Sequence, residues 1–346
     1  MIVNTYSVLM LFMAGTGLLL GATLAAAALW AAWRVRRSRT EQQLSAAERS
    51  VDLASVVAAT SLGILMVGWP LLYAMLASFV AEVPGAMCIY GVTRVMPATS
   101  ALIQAAKPVA IFALGGWLLV EMVRRRSGRP PRRWRGLAAL AAVSALVVFT
   151  CAADAYYVLH MNSLNEVSCC SCCLARRSAQ LQAPAFYLPW DLPGSTARIV
   201  LNLLFFAGVP VAASWLLVQA RRPTARRTIT ALIGNVLLLA AAAGLGLASL
   251  AEFSEVLAPL LMRLPFHHCL YCLMVNRNAP DAPVMLANLA TGIFAAGWVA
   301  VLAVCVPVKS QTAAFLDLRR RMCLLAATTL VATVLMVVIH LAVAPW

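Results

Sequence analysis

The chain has 346 residues, 63% of them hydrophobic and only 11% charged, with a net charge of +15. This composition leaves no room for a large soluble domain and predicts an all-α, polytopic membrane bundle, because a spanning helix satisfies every backbone hydrogen bond within itself. The positive charge does not indicate nucleic acid, since the basic residues fall in blocks that alternate with apolar runs and so mark topology.

Eight runs are long and apolar enough to span a bilayer, at 7–33, 51–81, 98–123, 136–158, 196–219, 228–251, 285–308 and 322–345. They predict one integral membrane domain over 1–346. The first run starts near Ser7 without a basic n-region, so it is expected to stay as an anchor rather than be removed as a signal peptide. The stretch "RVRRSRTEQQLSAAERS" at 34–50 is expected to form a short amphipathic surface helix. In the second run Trp69–Pro70 predicts a kink. The third run carries Lys107 just before Pro108, and Glu121 at helical neighbour spacing from Arg124 and Arg125, a surface ion pair. The fourth, after the basic linker "RRRSGRPPRRWR", carries Asp154, Tyr157 and His160 toward its far end. An Asp–Lys pair across the third and fourth runs would reduce the burial cost of both. Asn202 and Asn288 lie in the outer halves of the fifth and seventh runs, "GLGLAS" in the sixth allows close helix packing, and His340 lies near the outer end of the eighth.

Twenty of the 27 lysines and arginines lie in four segments, 34–49, 124–135, 221–227 and 309–321, which follow the first, third, fifth and seventh runs. The alternate loops hold only Arg94, Lys107, Arg176, Arg177, Arg198, Arg263 and Arg277. Positive segments stay inside, so both termini and the alternate loops are expected to face outward. A prokaryotic inner membrane, with these loops on the periplasmic face, fits that pattern. Ionisable groups in lipid are costly and mark function. Lys107, Asp154 and His340 are therefore candidate cofactor-binding residues of a polar outer cavity. The competing reading is snorkelling to the interface, strongest for His160 and His340.

Seven of the ten cysteines fall in outward loops: Cys88, then Cys169, Cys170, Cys172 and Cys173, then Cys269 and Cys272. Cys151, Cys305 and Cys323 lie in or beside the apolar runs and read as small buried hydrophobes. The loops run "MCIYGVTR", "CCSCCLARR" and "HCLYCLMVNR", each with an arginine soon after the cysteine, which suggests a helix–loop–helix unit used three times. Neighbouring cysteines bridge one another only with strain. Three fates remain: bridges between loops, a bound metal, or a working dithiol.

Covalent c-type haem is excluded by motif, because Leu174 and Leu273 stand where Cys-x-x-Cys-His needs histidine. A metal site is well supplied. Two Cys-x-x-Cys pairs offer four thiolates, as in zinc or iron–sulfur centres, and His267, His268 and His160 offer imidazoles. Met87, Met161 and Met274 add thioethers, which suit copper(I). The candidate metal ligands are Cys88, Cys169, Cys170, Cys172, Cys173, His267, His268, Cys269 and Cys272. For a dithiol the candidates are Cys170, Cys173, Cys269 and Cys272, with Arg94, Arg176, Arg177 and Arg277 nearby to favour thiolate. Cysteine pairs in outward loops of a helical bundle resemble membrane disulfide oxidoreductases of the vitamin K epoxide reductase or quinone-linked kind. Eight spans and "CCSCC" depart from the four core helices of those families.

No glycine-rich nucleotide loop, Ser/His/Asp set or facing carboxylate pair is present in the sequence, so it supports neither ATP hydrolysis nor hydrolase chemistry. The first functional reading is a metal or redox site at the outer face, for electron transfer with a quinone or for handing a soft metal to an outer-face partner. The alternatives are a thiol–disulfide oxidoreductase, and a transporter or scaffold subunit braced by loop disulfides. Phe186, Tyr187 and Trp190 would grip a partner in the last case.

Overall fold

The computed structural model describes residues 2–37, 41–126, 134–162, 167, 194–221, 229–264, 268–306 and 313–343. No strand occurs among them, and eight helices are long and apolar enough to cross a membrane. They are span 1 (Thr5–Arg37), span 2 (Val51–Ser78), span 3 (Pro97–Arg126), span 4 (Gly136–His160), span 5 (Thr196–Arg221), span 6 (Val236–Met262), span 7 (Ala282–Cys305) and span 8 (Phe315–Val343). The protein is thus an all-α multi-pass bundle, as the apolar runs predict. Large apolar side chains such as Phe12, Leu19 and Leu247 remain exposed on the span surfaces, where lipid would cover them.

The chain forms two compact units, Met1–Cys169 and Cys170–Trp346. Each has four spans in the same cyclic order. In the first unit, spans 1 and 3 each pack against spans 2 and 4. In the second, spans 5 and 7 each pack against spans 6 and 8. A short helix lies between the second and third span of each unit, Ile89–Thr93 in one and Leu270–Val275 in the other. The loop pattern read three times in the sequence therefore has two described copies, in equivalent places. The remaining loop, with Cys169, Cys170, Cys172 and Cys173, lies outside the described residues.

Small residues set the closest helix approaches. Gly17 and Gly21, four residues apart, share one face of span 1. A Cβ on Gly17 would sit 2.5 Å from Sγ of Cys151 and one on Gly21 2.9 Å from the Val148 side chain, so spans 1 and 4 meet almost backbone to backbone. Gly292 does the same for spans 7 and 8, with Leu330 2.7 Å from where its Cβ would be. The "GLGLAS" expectation holds at Gly246, whose Cβ would lie 3.2 Å from Ile293 of span 7.

Several boundaries and environments differ from expectation. The segment 34–50 is not a separate helix: Arg34, Arg36 and Arg37 end the helix Thr5–Arg37, and residues 41–50 begin the helix Glu41–Ser78. Helical propagation from two long apolar helices wins over a separate amphipathic turn. The helix of span 6 continues beyond 251 through a π turn, Phe253–Leu257, to Met262. The helix of span 8 starts at Ala313, so Arg319–Arg321 are helical. Cys151 and Cys323 are buried as expected, but Cys305 is exposed at the last residue of its helix. Glu121 does pair with Arg124 at 2.8 Å and Arg125 at 3.2 Å, yet it is no surface group: its carboxylate is 2% exposed. Arg125 also reaches Asp52 at 2.8 Å, tying span 3 to the start of span 2.

Candidate functional site

In the second unit the cysteine segment is built from the end of span 6. Arg263 takes the left-handed conformation (φ 57°); its N–H donates to the Leu260 carbonyl and the N–H of Leu264 to the Pro259 carbonyl, which stops the helix. Pro265, Phe266 and His267 lie outside the described residues. Cys269 is extended, and its carbonyl accepts the N–H of Leu273 at 3.1 Å, opening the helix Leu270–Val275. Leu273 is fully buried in the core of the unit and anchors that turn. The exit is fixed by Asn276, whose side-chain oxygen accepts the N–H of Asn278, and by the Asn278 amide, which donates to the Met262 carbonyl at 3.1 Å. Cys269 and Cys272 are thereby one helical turn apart, both half-buried, with their sulfurs within 4.8 Å of one another. His268, next in the chain, places Nδ1 3.6 Å from a carboxylate oxygen of Glu255 on span 6.

The first unit repeats the construction with one thiol fewer. Cys88 is extended and its carbonyl accepts the N–H of Gly91 at 3.0 Å, opening the helix Ile89–Thr93. Val92, fully buried, takes the anchoring role of Leu273. Gly91 stands where the other unit has Cys272. Just before the segment Gly85 has φ 78°, and a Cβ there would lie 2.0 Å from the Val167 carbonyl oxygen, so only glycine fits. Cys269 and Cys272, both in the second unit, are described cysteines that could hold a metal ion.

Beneath Cys88, Lys107 of span 3 and Asp154 of span 4 form the expected ion pair, 1% and 3% exposed. The second Asp154 oxygen, Oδ1, has no hydrogen-bond partner among the described residues. Tyr157, one turn along, is buried and donates to the Val92 carbonyl at 3.4 Å, so the pair's helix also holds the cysteine turn. His160 is exposed, stacked on Tyr156 with its Nδ1 2.9 Å from that residue's carbonyl oxygen. His340 belongs to the second unit, where Nδ1 lies 2.9 Å from Asp281 at the start of span 7. Each unit thus joins its third and fourth spans by an acid–base pair near the end that carries its short cysteine helix.

Sequence reasoning missed Glu252 and Glu255. Both are buried in span 6, at 0% and 7% exposed. Neither oxygen of Glu252 has a hydrogen-bond partner among the described residues. Glu255 borders a cavity of about 500 Å³ together with Arg198, Val256, Pro259, Leu260, Arg263 and His268. The missed signal was an apolar pattern that resumes after the two acids, in Val256, Leu257, Leu260 and Leu261.

No protein-family model, no curated protein and no solved structure matches the chain.

Proposed function

We propose that this multi-pass membrane protein binds a soft transition-metal ion at its outer face through the thiolates of Cys269 and Cys272. The observation that carries the reading is the pair of sulfurs, one turn apart and within 4.8 Å, on a short helix pinned by Leu273. Thiolates select copper(I), zinc or an iron–sulfur cluster, and two from one helical turn supply half of a tetrahedral set. Cys88 has an equivalent backbone setting in the first unit, and the sequence offers Cys170, Cys172 and Cys173 for the remaining ligands. Outer placement rests on the basic segments at the opposite ends of the spans, which in a prokaryotic inner membrane puts the cysteines on the periplasmic side. There the ion would be passed to an outer-face protein or would carry electrons to or from a quinone.

The same spacing supports a second reading, a thiol–disulfide oxidoreductase using Cys269 and Cys272, with Arg277 favouring thiolate. One sample separates the two. Elemental analysis and thiol counting are made on detergent-purified wild type, Cys269→Ser and Cys272→Ser. The metal reading expects a stoichiometric metal that both variants lose. A metal-free protein whose two thiols interconvert with a disulfide replaces it by the oxidoreductase. A metal-free protein with an inert disulfide leaves the segment as a brace.

A further inference from the structure

We infer that Glu252 is a membrane-embedded proton-binding site, one that takes up and releases a proton independently of any metal at the cysteines. Glu252 is 0% exposed, and both of its carboxylate oxygens lack a hydrogen-bond partner among the described residues. Ser249, three residues earlier on the same helical face, is 1% exposed and its hydroxyl oxygen is equally without a partner. Three buried oxygens on one face of a spanning helix, with nothing from the described chain to satisfy them, are far more costly than a merely polar boundary residue.

Among the described residues the surroundings supply no fixed counter-charge. Span 7, which packs against this helix, has no acidic or basic residue from Ala282 to Cys305. The π turn Leu204–Gly208 and the helix Ala258–Met262 have none either. The charged groups on the remaining packed elements are Arg198, on the helix Gly194–Leu203, and Glu255, which is held against His268. Arg198 forms no ion pair with Glu252. A permanently ionised carboxylate there would be an uncompensated buried charge. A carboxyl group that gains an O–H from water and gives that proton back has no such burden while it is loaded. Glu255, three residues on, borders the cavity of about 500 Å³. The π turn Phe253–Leu257 begins at the next residue, and such turns are frequent at functional positions.

The test uses dicyclohexylcarbodiimide, an apolar reagent that attacks carboxyl groups in their protonated form. Wild type, Glu252→Gln and Ser249→Ala are treated as the full-length protein in detergent across a pH series, and the adduct is located by peptide mass spectrometry. The expected result is an adduct at Glu252 whose rate of formation falls about tenfold per pH unit above a midpoint. Glu252→Gln abolishes that adduct, and Ser249→Ala moves the midpoint. No adduct at Glu252 at any pH, or a rate indifferent to pH, overturns the proposal. Protection by sodium at constant pH also overturns it, in favour of a sodium site. Should Glu252→Gln fold poorly, infrared titration of wild type decides instead: loss of a buried carboxylic acid band with rising pH is required.

Discussion

In the first unit the acid buried near the cysteine turn, Asp154, has Lys107 against it; in the second, the buried acid Glu252 has no partner among the described residues. The cysteine turns differ in parallel, with Cys88 and Gly91 in one and Cys269 and Cys272 in the other. Two units with the same cyclic order of spans have thus put their polar chemistry to different uses. In the first, Lys107 neutralises the buried Asp154 and the cysteine turn holds one thiol. In the second, the cysteine turn holds two thiols and Glu252 has no partner among the described residues. The physical lesson is that a four-span ring tolerates a buried ionisable group in either of two ways, a matched pair or a group free to become neutral.

The sharpest way to break the comparison is to make the cysteine turns alike. Cys272→Gly gives the second unit the pattern of the first, and metal binding is expected to vanish while the protein stays inserted, checked by elemental analysis and detergent gel filtration. Next in size is the ion pair. Asp154→Ala leaves the Lys107 ammonium buried alone and is expected to destabilise the protein by about 3–5 kcal/mol. Lys107→Met with Asp154→Leu should recover most of that loss in thermal unfolding. Equal damage from the double and the single variant would show that the pair matters through something other than charge.

Helix contact ranks third. Gly17→Leu pushes a side chain into Cys151, already 2.5 Å from the position of a Cβ, and is expected to cost about 1–3 kcal/mol, read as earlier proteolysis of the first unit than of the second. The smallest effect is expected at His340→Ala. Its partner Asp281 is a third exposed, so the loss should be about 1 kcal/mol or less in thermal unfolding. A larger loss would mean that this pair matches the Lys107 pair in importance and that the two units are more alike than their burial suggests.

The eight spans were legible because a bilayer demands about 20 apolar residues per crossing, and that demand is written locally. The Lys107–Asp154 pair was legible for a related reason: two opposite charges at similar depth in consecutive spans have few other ways to exist. Span ends were less legible. Glu252 and Glu255 read as the close of an apolar run, whereas the helix carries them inward and ends only where Arg263 turns left-handed. The grouping into two four-span units was hidden, because hydropathy records crossings and not neighbours. The four-residue spacing of Gly17 and Gly21 was a local hint of it, since small residues at that interval announce a helix contact. At the cysteines, the Cys269/Cys272 pair was visible as spacing, but its anchoring by Leu273 depends on a core assembled from distant spans.

The wide turn at Phe253–Leu257 sets the phase of everything beyond it. Running the same residues as a regular helix would swing the downstream segment by about 100° about its axis, one residue's rotation. Glu255 would leave the cavity it borders, His268 would lose its carboxylate, and the left-handed stop at Arg263 would aim the cysteine turn elsewhere, with Glu252 itself unmoved. The wide turn therefore fixes where the thiols sit relative to the buried acid through backbone phase alone, without altering the chemistry of either.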